Sequence, residues 1–180
     1  MAGETPISNG VAATLSFIAR AINARAVVEI GTGNGASGLA LFQGMPADGV
    51  LTSIDPDTDL QLRARHSFST AELSSTRFRL ITGIPLQILP KLRDGAYDIV
   101  FVNGNKLEYV EYVAEAARLL RPGGVLALHD ALWHNLIVDF NNEDDETLII
   151  REALEAVKRS KSFQPALLPV GDGLLVAARR

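Results

Sequence analysis

Val27-Val28-Glu29-Ile30-Gly31-Thr32-Gly33-Asn34-Gly35-Ala36-Ser37-Gly38 is an apolar strand, carrying one acid, that runs directly into a glycine turn and a helix. Glycines bend backbone where a side chain would clash, and they let a ligand lie against main-chain amides at the start of the following helix. The stretch predicts a strand over about 26–30, a ligand-binding turn, and a helix over 36–44. Its spacing also satisfies the six-residue glycine fingerprint of dinucleotide-binding folds, from Gly33 to Gly38, with Asp55 about 20 residues further on.

Charge separates the two kinds of nucleotide ligand. Glu29, two residues before the first glycine, would repel a pyrophosphate and attract a cationic ligand. S-adenosylmethionine is such a ligand, with a sulfonium, an ammonium, a ribose and no phosphate.

Outward from this stretch the chain alternates helix and strand. Val11, Leu15, Ile18, Ala19 and Ile22 fall at helical spacing before it. After it come a strand at Val50–Ile54, a helix at 57–71, a strand at Phe78–Ile81, a short helix at 85–93 and a strand at Tyr97–Val102. Pro56 keeps Asp55 out of helical geometry, just past the end of its strand. Val110, Val113, Ala114, Ala117 and Leu120 make one helix face, which the turn Arg121-Pro122-Gly123-Gly124 closes before a strand at Val125–Leu128. The acidic run 143–146 reads as a solvated loop or helix start, followed by a helix with Ile149, Ala153, Ala156 and Val157 inward. The runs Phe163–Leu168 and Leu174–Ala178 are joined by too few residues for a crossover, so they pair antiparallel. The expectation is an α/β fold in one domain over 1–180: a doubly wound, mostly parallel seven-stranded sheet with a C-terminal antiparallel hairpin, the Rossmann-like methyltransferase variant. Ligands of such sheets sit at the strands' carboxyl ends, where Glu29, Asp55, Asn103 and Asp130 all fall.

Bulk properties narrow the function classes. The 180 residues are 47% hydrophobic and 21% charged, with a net charge of −4 and no basic run, which argues against nucleic acid as the main partner. There is no cysteine, so thiol chemistry and cysteine metal sites are excluded. Met1-Ala2-Gly3-Glu4 has no targeting character and no apolar run is long enough for a membrane span, so the expected location is cytoplasmic, without a membrane partner.

From Ser8 onward the chain resembles the cation-dependent small-molecule O-methyltransferases of the caffeoyl-CoA and catechol type, and it is most similar to their actinobacterial members. Ile22-Asn23-Ala24-Arg25, Glu29-Ile30-Gly31, Ile54-Asp55, Asp98-Ile99-Val100-Phe101-Val102, Lys106, Tyr109, Arg121-Pro122-Gly123-Gly124, His129-Asp130 and Leu168-Pro169-Val170-Gly171-Asp172-Gly173 carry the likeness. It implies that Ser8, Glu29, Gly31, Ser37 and Asp55 contact the methyl donor S-adenosylmethionine, Asp55 at the ribose hydroxyls and Glu29 towards the methionine end. Pro85 falls in the segment that runs along the adenine. Gly33 and Asn103 complete the expected donor set, and Lys106 and Asp130 are the candidate catalytic residues.

Three departures from the family pattern stand out. Members hold a divalent ion with an acid and an Asp-Asn pair, at positions that here read Asn103, Asp130 and Ala131, so metal binding is expected to be weak or absent, with Asn135 as a substitute ligand. Asn105 stands where members have a further acid. Members also carry N-terminal helices that cover the site and build a dimer, and this chain starts a few residues before Ser8, which leaves a homodimer open.

The reaction implied is methyl transfer to a small hydroxylated, aromatic acceptor, with Lys106 as general base. A lysine and a phenol have reference values of about 10.4 and 10, so proton transfer between them is nearly balanced. With Asn103 and Asn105 in place of carboxylates, the lysine is expected to have fewer charges holding it as ammonium. Tyr109 and Tyr112 either line the acceptor pocket or pack beside the sheet; Trp133 either caps that pocket or plugs a loop. His129 and Asp130, adjacent on a strand end, are expected to point to opposite faces. His129, His66 and His134 are expected to be hydrogen-bonded or exposed rather than ligands. Two other functions stay open: a donor-binding protein of the same fold with little catalysis, and an NAD-dependent oxidoreductase.

Overall fold

Alternation along the central strand sets the layers. Val27 packs into one hydrophobic core while Val28 and Ile30 pack into the other, so both faces of the sheet are buried. The computed structural model describes residues 7–180, and the reading of the first four residues lies outside the described residues. Its elements are α1 (Asn9–Ala21), β1 (Ala26–Ile30), α2 (Ala36–Gly44), β2 (Val50–Asp55), α3 (Thr58–Thr70), β3 (Phe78–Thr82), α4 (Pro85–Ile88), β4 (Tyr97–Val102), α5 (Tyr109–Leu119), β5 (Leu120–His129), α6 (Asp145–Arg159), β6 (Phe163–Leu168) and β7 (Leu174–Arg179).

The sheet order is β3-β2-β1-β4-β5-β7-β6. Strands β1 to β5 pair parallel, and β7 runs antiparallel to both β5 and β6. This is the expected architecture, with β7 seated inside the sheet and β6 at its edge. An edge position tolerates Pro165 in β6, which has no amide to give to a ladder. The order in which strands are added reverses between β1 and β4, the crevice where open α/β sheets bind ligands.

One core gathers α1, α2 and α3 around Phe68, whose ring meets Phe42 edge-on at 5.5 Å and Phe78 at 5.1 Å. Such aromatic pairs contribute about 1 kcal/mol each beyond area burial. Helices α1 and α2 touch at the backbone: a Cβ on Gly44 would stand 2.0 Å from the Ser16 carbonyl oxygen. The other core holds α5 and α6 against β4 and β5, with Tyr109 and Tyr112 fully buried.

Two local features differ from the sequence reading, and a third decides between its alternatives. Arg121-Pro122-Gly123-Gly124 does not precede β5 but lies within it as a bulge, since Tyr97 pairs with Leu120 and Ile99 then pairs with Val125. Arg121 Nε donates to Asp98 Oδ1 at 2.6 Å, and Asp98 Oδ2 accepts from Arg25 N and Ala26 N at 2.7 and 2.8 Å, so the bulge is tied to the start of β1. The helix expected over 85–93 stops at Ile88 and tightens into a 3-10 turn, Leu89–Lys91, because Pro90 cannot continue it. The acidic run becomes the start of α6, with Asp145 and Glu146 in its first turn and Lys158 and Arg159 in its last, both favourable to the helix dipole. Among the described residues no helix is long and apolar enough to cross a membrane.

Candidate active site

At the switch point β1 ends in Gly31, whose φ of +90° is a left-handed conformation. The following loop is braced by its own neighbours. Asp55 Oδ2, at the tip of β2, accepts from Thr32 N at 2.8 Å and Gly33 N at 3.2 Å, and Asp55 Oδ1 accepts from Asp57 N at 2.8 Å. Gly31 N donates to Ile54 O, Gly35 N to Thr32 O and Ala36 N to Asn34 Oδ1. The amides of Gly31, Thr32, Gly33, Gly35 and Ala36 are thus all satisfied within the protein, two of them by a carboxylate. A pyrophosphate would find these donors taken and a negative charge beside them.

Glu29 lies beneath this loop and is fully buried, on the same face of β1 as Val27. Ser53, its register partner on β2, donates to Glu29 Oε2 at 2.5 Å, and Ser37 at the start of α2 donates to Oε1. Ser53 Oγ also meets Thr32 Oγ1 at 2.6 Å, and Gln61 Nε2 donates to that hydroxyl at 3.0 Å. The chain of polar groups from Gln61 to Ser37 therefore carries Glu29 in a dry setting. Burial pushes the carboxyl up from its ordinary 4.5 to about 7, against the lowering effect of the two serine hydroxyls. Near pH 7 it is no longer the fully ionised acid that the sequence suggests.

A pH dependence of stability follows. The folded protein holds the Glu29 proton between about 4.5 and 7 while the unfolded chain has lost it, so stability falls as pH rises through that window and stays lower above it. The full effect is on the order of 3 kcal/mol. Glu29→Gln is expected to flatten this slope in urea unfolding at pH 5, 6, 7 and 8. A slope equal to that of the parent protein would disprove the assignment.

A second buried polar cluster is built from β4, β5 and the turns that follow them. Lys106, in the 3-10 turn Lys106–Glu108 after β4, is 7% exposed and Asp130, just past β5, 1%. Lys106 Nζ stands 3.1 Å from Asp130 Oδ2 and donates to Tyr109 Oη at 2.7 Å; Tyr109 Oη in turn donates to the His129 carbonyl at 3.0 Å. His129 Nδ1 lies 2.7 Å from Asn103 Oδ1 and 3.3 Å from Asp130 Oδ1. Burial lowers the His129 imidazole, with Asp130 acting in the opposite sense. Burial also raises both tyrosines well above the ordinary phenol range, so they remain neutral hydroxyls.

Similarity to known proteins agrees with this geometry. A sequence model of an O-methyltransferase family matches residues 3–180. The chain belongs to that O-methyltransferase family. A protein of Mycobacterium sp. (strain JLS), provisionally named an O-methyltransferase, is 42% identical over 177 residues, covering 98% of this chain and 80% of the relative. A crystal structure from Corynebacterium glutamicum superposes with a TM-score of 0.92 at 29% identity, over 98% of this chain and 83% of that one. The O-methyltransferase TomG from Streptomyces achromogenes, solved in complex with S-adenosylmethionine, gives 0.90 at 26% identity, over 97% and 81%.

Within this O-methyltransferase the other residues singled out in the sequence fall as follows. Ser8 caps α1, its Oγ accepting from Val11 N at 3.2 Å, and lies against Gly171 of the β6–β7 connection. Pro85 is buried at the first position of α4. Asn103 is buried at the tip of β4, where its carbonyl oxygen faces the Gly31 backbone. Tyr109 and Tyr112 belong to the core, and Tyr112 Oη donates to Glu108 rather than lining an open pocket.

One sequence expectation is corrected on geometry. His129 and Asp130 do not point apart: β5 ends at His129, and Asp130 takes a φ of +53°, which breaks the alternation and brings the carboxylate back beside the imidazole. Lys106 faces one carboxylate, Asp130, while positions 103 and 105 are asparagines.

The residues at the family's metal positions do not fit a hard divalent ion. Asn103 Oδ1 is engaged by His129, Ala131 offers no ligand, and an ammonium stands 3.1 Å from the one carboxylate. Among the described residues there is no group of three or more acidic, histidine or cysteine side chains that could hold a metal. Both Asp130 oxygens are buried beside cationic or imidazole nitrogens, yet neither receives an aligned hydrogen bond. Sequence reasoning missed the bracing role of Asp55. The signal available for it was the proximity of an acid to a glycine turn, which reads equally as a ribose ligand.

Proposed function

We propose that this chain is an S-adenosylmethionine-dependent O-methyltransferase acting on a small hydroxylated, aromatic acceptor, with Lys106 taking the acceptor proton and no step routed through a metal ion. The observation that carries the reading is that the Gly31, Thr32, Gly33, Gly35 and Ala36 amides of the glycine loop are already spent, two of them on a buried carboxylate, which suits a phosphate-free cationic donor and not a dinucleotide. Glu29, Gly31, Gly33, Ser37, Asp55 and Asn103 line or brace the donor side, with Ser8 and Pro85 at its margins. Bound there, the donor supplies an electrophilic methyl group.

On the acceptor side Lys106 and Asp130 work as a unit. Tyr109 fixes Nζ, the carboxylate faces it, and a hydroxyl entering between them would supply Asp130 Oδ2, one of two oxygens without an aligned donor, with a hydrogen bond. Proton transfer to Nζ requires the amine to have shed its own proton first, so acceptor binding and loss of that proton are linked. Positioning supplies the rest of the rate, because methyl transfer needs the oxygen held in line and close.

Calorimetric titration tests the donor assignment: S-adenosylmethionine and S-adenosylhomocysteine bind and NAD does not. With catechol as acceptor, methylation is expected to persist in excess chelator and to gain less than a few-fold from added magnesium. Loss of turnover with chelator and its return with magnesium would overturn the metal-free reading. Donor binding without turnover on any phenolic acceptor would leave the non-catalytic alternative.

A further inference from the structure

Among the described residues, the segment after Asp130 has the longest run of non-glycine residues with positive φ. Trp133, His134 and Asn135 are successive non-glycine residues with φ of +47°, +54° and +62°. L-residues avoid this region, and a run of three persists only where surrounding groups dictate it.

One side chain, Asp172, does so directly, and a second, Arg151, fixes the residues that follow. Asp172, in the β6–β7 connection, accepts from His134 N at 2.9 Å on Oδ1 and 2.8 Å on Oδ2, and its main-chain carbonyl accepts from Leu132 N at 2.9 Å. Arg151, on α6, points its guanidinium into the centre of the segment. Nε donates to Ile137 O at 2.8 Å, Nη1 to Asn142 O at 2.9 Å, and Nη2 to Leu136 O at 2.8 Å and to Asp139 O. Four carbonyls from residues 136–142 thus converge on one planar group, a geometry that the guanidinium's fixed fork allows and an ammonium does not. The half-buried Trp133 starts the left-handed run, and its ring centroid lies 5.9 Å from Lys106 Nζ.

We infer that Arg151 and Asp172 are positioning residues that hold the Trp133 ring beside Lys106 and so set the acceptor wall of the site. The inference deepens the proposed reaction and rests on the acceptor binding at Lys106. It explains why α6 commits a half-buried arginine to main-chain carbonyls rather than to a carboxylate.

Trp133 is the single tryptophan of the chain, so its fluorescence reports the wall directly, without turnover. Arg151→Ala and Asp172→Asn are expected to shift its emission to longer wavelength and to steepen acrylamide quenching, with Arg151→Lys intermediate because it cannot bridge four carbonyls. In catechol methylation the same variants are expected to raise the acceptor KM about tenfold while kcat changes less and calorimetric affinity for S-adenosylhomocysteine is kept. Unchanged emission and quenching in both Arg151→Ala and Asp172→Asn would overturn the inference. So would equal losses of donor affinity, acceptor affinity and melting temperature, which mark a purely structural role. Should Arg151→Ala fail to fold, Arg151→Lys and Asp172→Asn decide the matter. If the parent protein does not methylate catechol, the proposed acceptor chemistry fails on that probe while the fluorescence result still judges the clamp.

Discussion

Lys106→Met is expected to lower turnover of catechol by about 10²- to 10⁴-fold, the range over which a positioned general base contributes, while calorimetric affinity for S-adenosylhomocysteine stays close to that of the parent protein. The split follows from the proposed division of roles: the Lys106 amine touches Asp130 and Tyr109, whereas the braced glycine loop hangs on Asp55. Stability changes as well. Removing the ammonium strands a carboxylate that is 1% exposed, and breaking a buried pair in this way costs about 3–5 kcal/mol. The double variant Lys106→Met with Asp130→Asn is therefore expected to recover part of that loss in urea unfolding and to remain inactive. Turnover within a few-fold of the parent in the single variant would remove Lys106 from the reaction.

Gly31→Ala carries the second large effect. A Cβ built there would stand 2.4 Å from the Asn103 carbonyl oxygen, 2.6 Å from its carbon and 2.9 Å from Gly104 N, all main-chain atoms that no side-chain rotation can move. The tips of β1 and β4 would have to separate, and a φ of +90° would strain the alanine besides. A loss on the order of 3 kcal/mol or more is expected in urea unfolding, together with loss of detectable S-adenosylhomocysteine binding. Gly95→Ala provides the control. Its φ is +60° but nothing lies within 4 Å, so only the conformational penalty of about 1 kcal/mol applies. Equal effects at the two positions would show that close approach at the switch point is not what Gly31 provides.

Much of the fold was legible because apolar periodicity and glycine turns are local signals. Ala26–Ile30, Ala36–Gly44 and Tyr97–Val102 fall where the residues place them, and the short link between the last two strands announces their hairpin. The seat of β7 between β5 and β6 is not local information. The site was legible as a set of residues but less so as geometry. Asp130 could be placed at a strand end, yet its left-handed backbone, which turns it towards His129 and Lys106, has no glycine to signal it. Glu29 looked like an open charge because a sequence cannot show that Ser37 and Ser53 enclose it. Tyr109, poised in the sequence between pocket and core, turned out to hold Lys106 from within the core.

Strand β7 follows every other strand in the sequence yet occupies an interior berth, flanked by β5 and β6. Until it docks, Val125–His129 presents a row of unpaired amides and carbonyls, the kind of edge that recruits stray strands. The Asp130 segment meanwhile lacks its moorings at Asp172 and Gly173. The backbone around Asp130 is thus completed only after β7 and the connection before it have been made and seated.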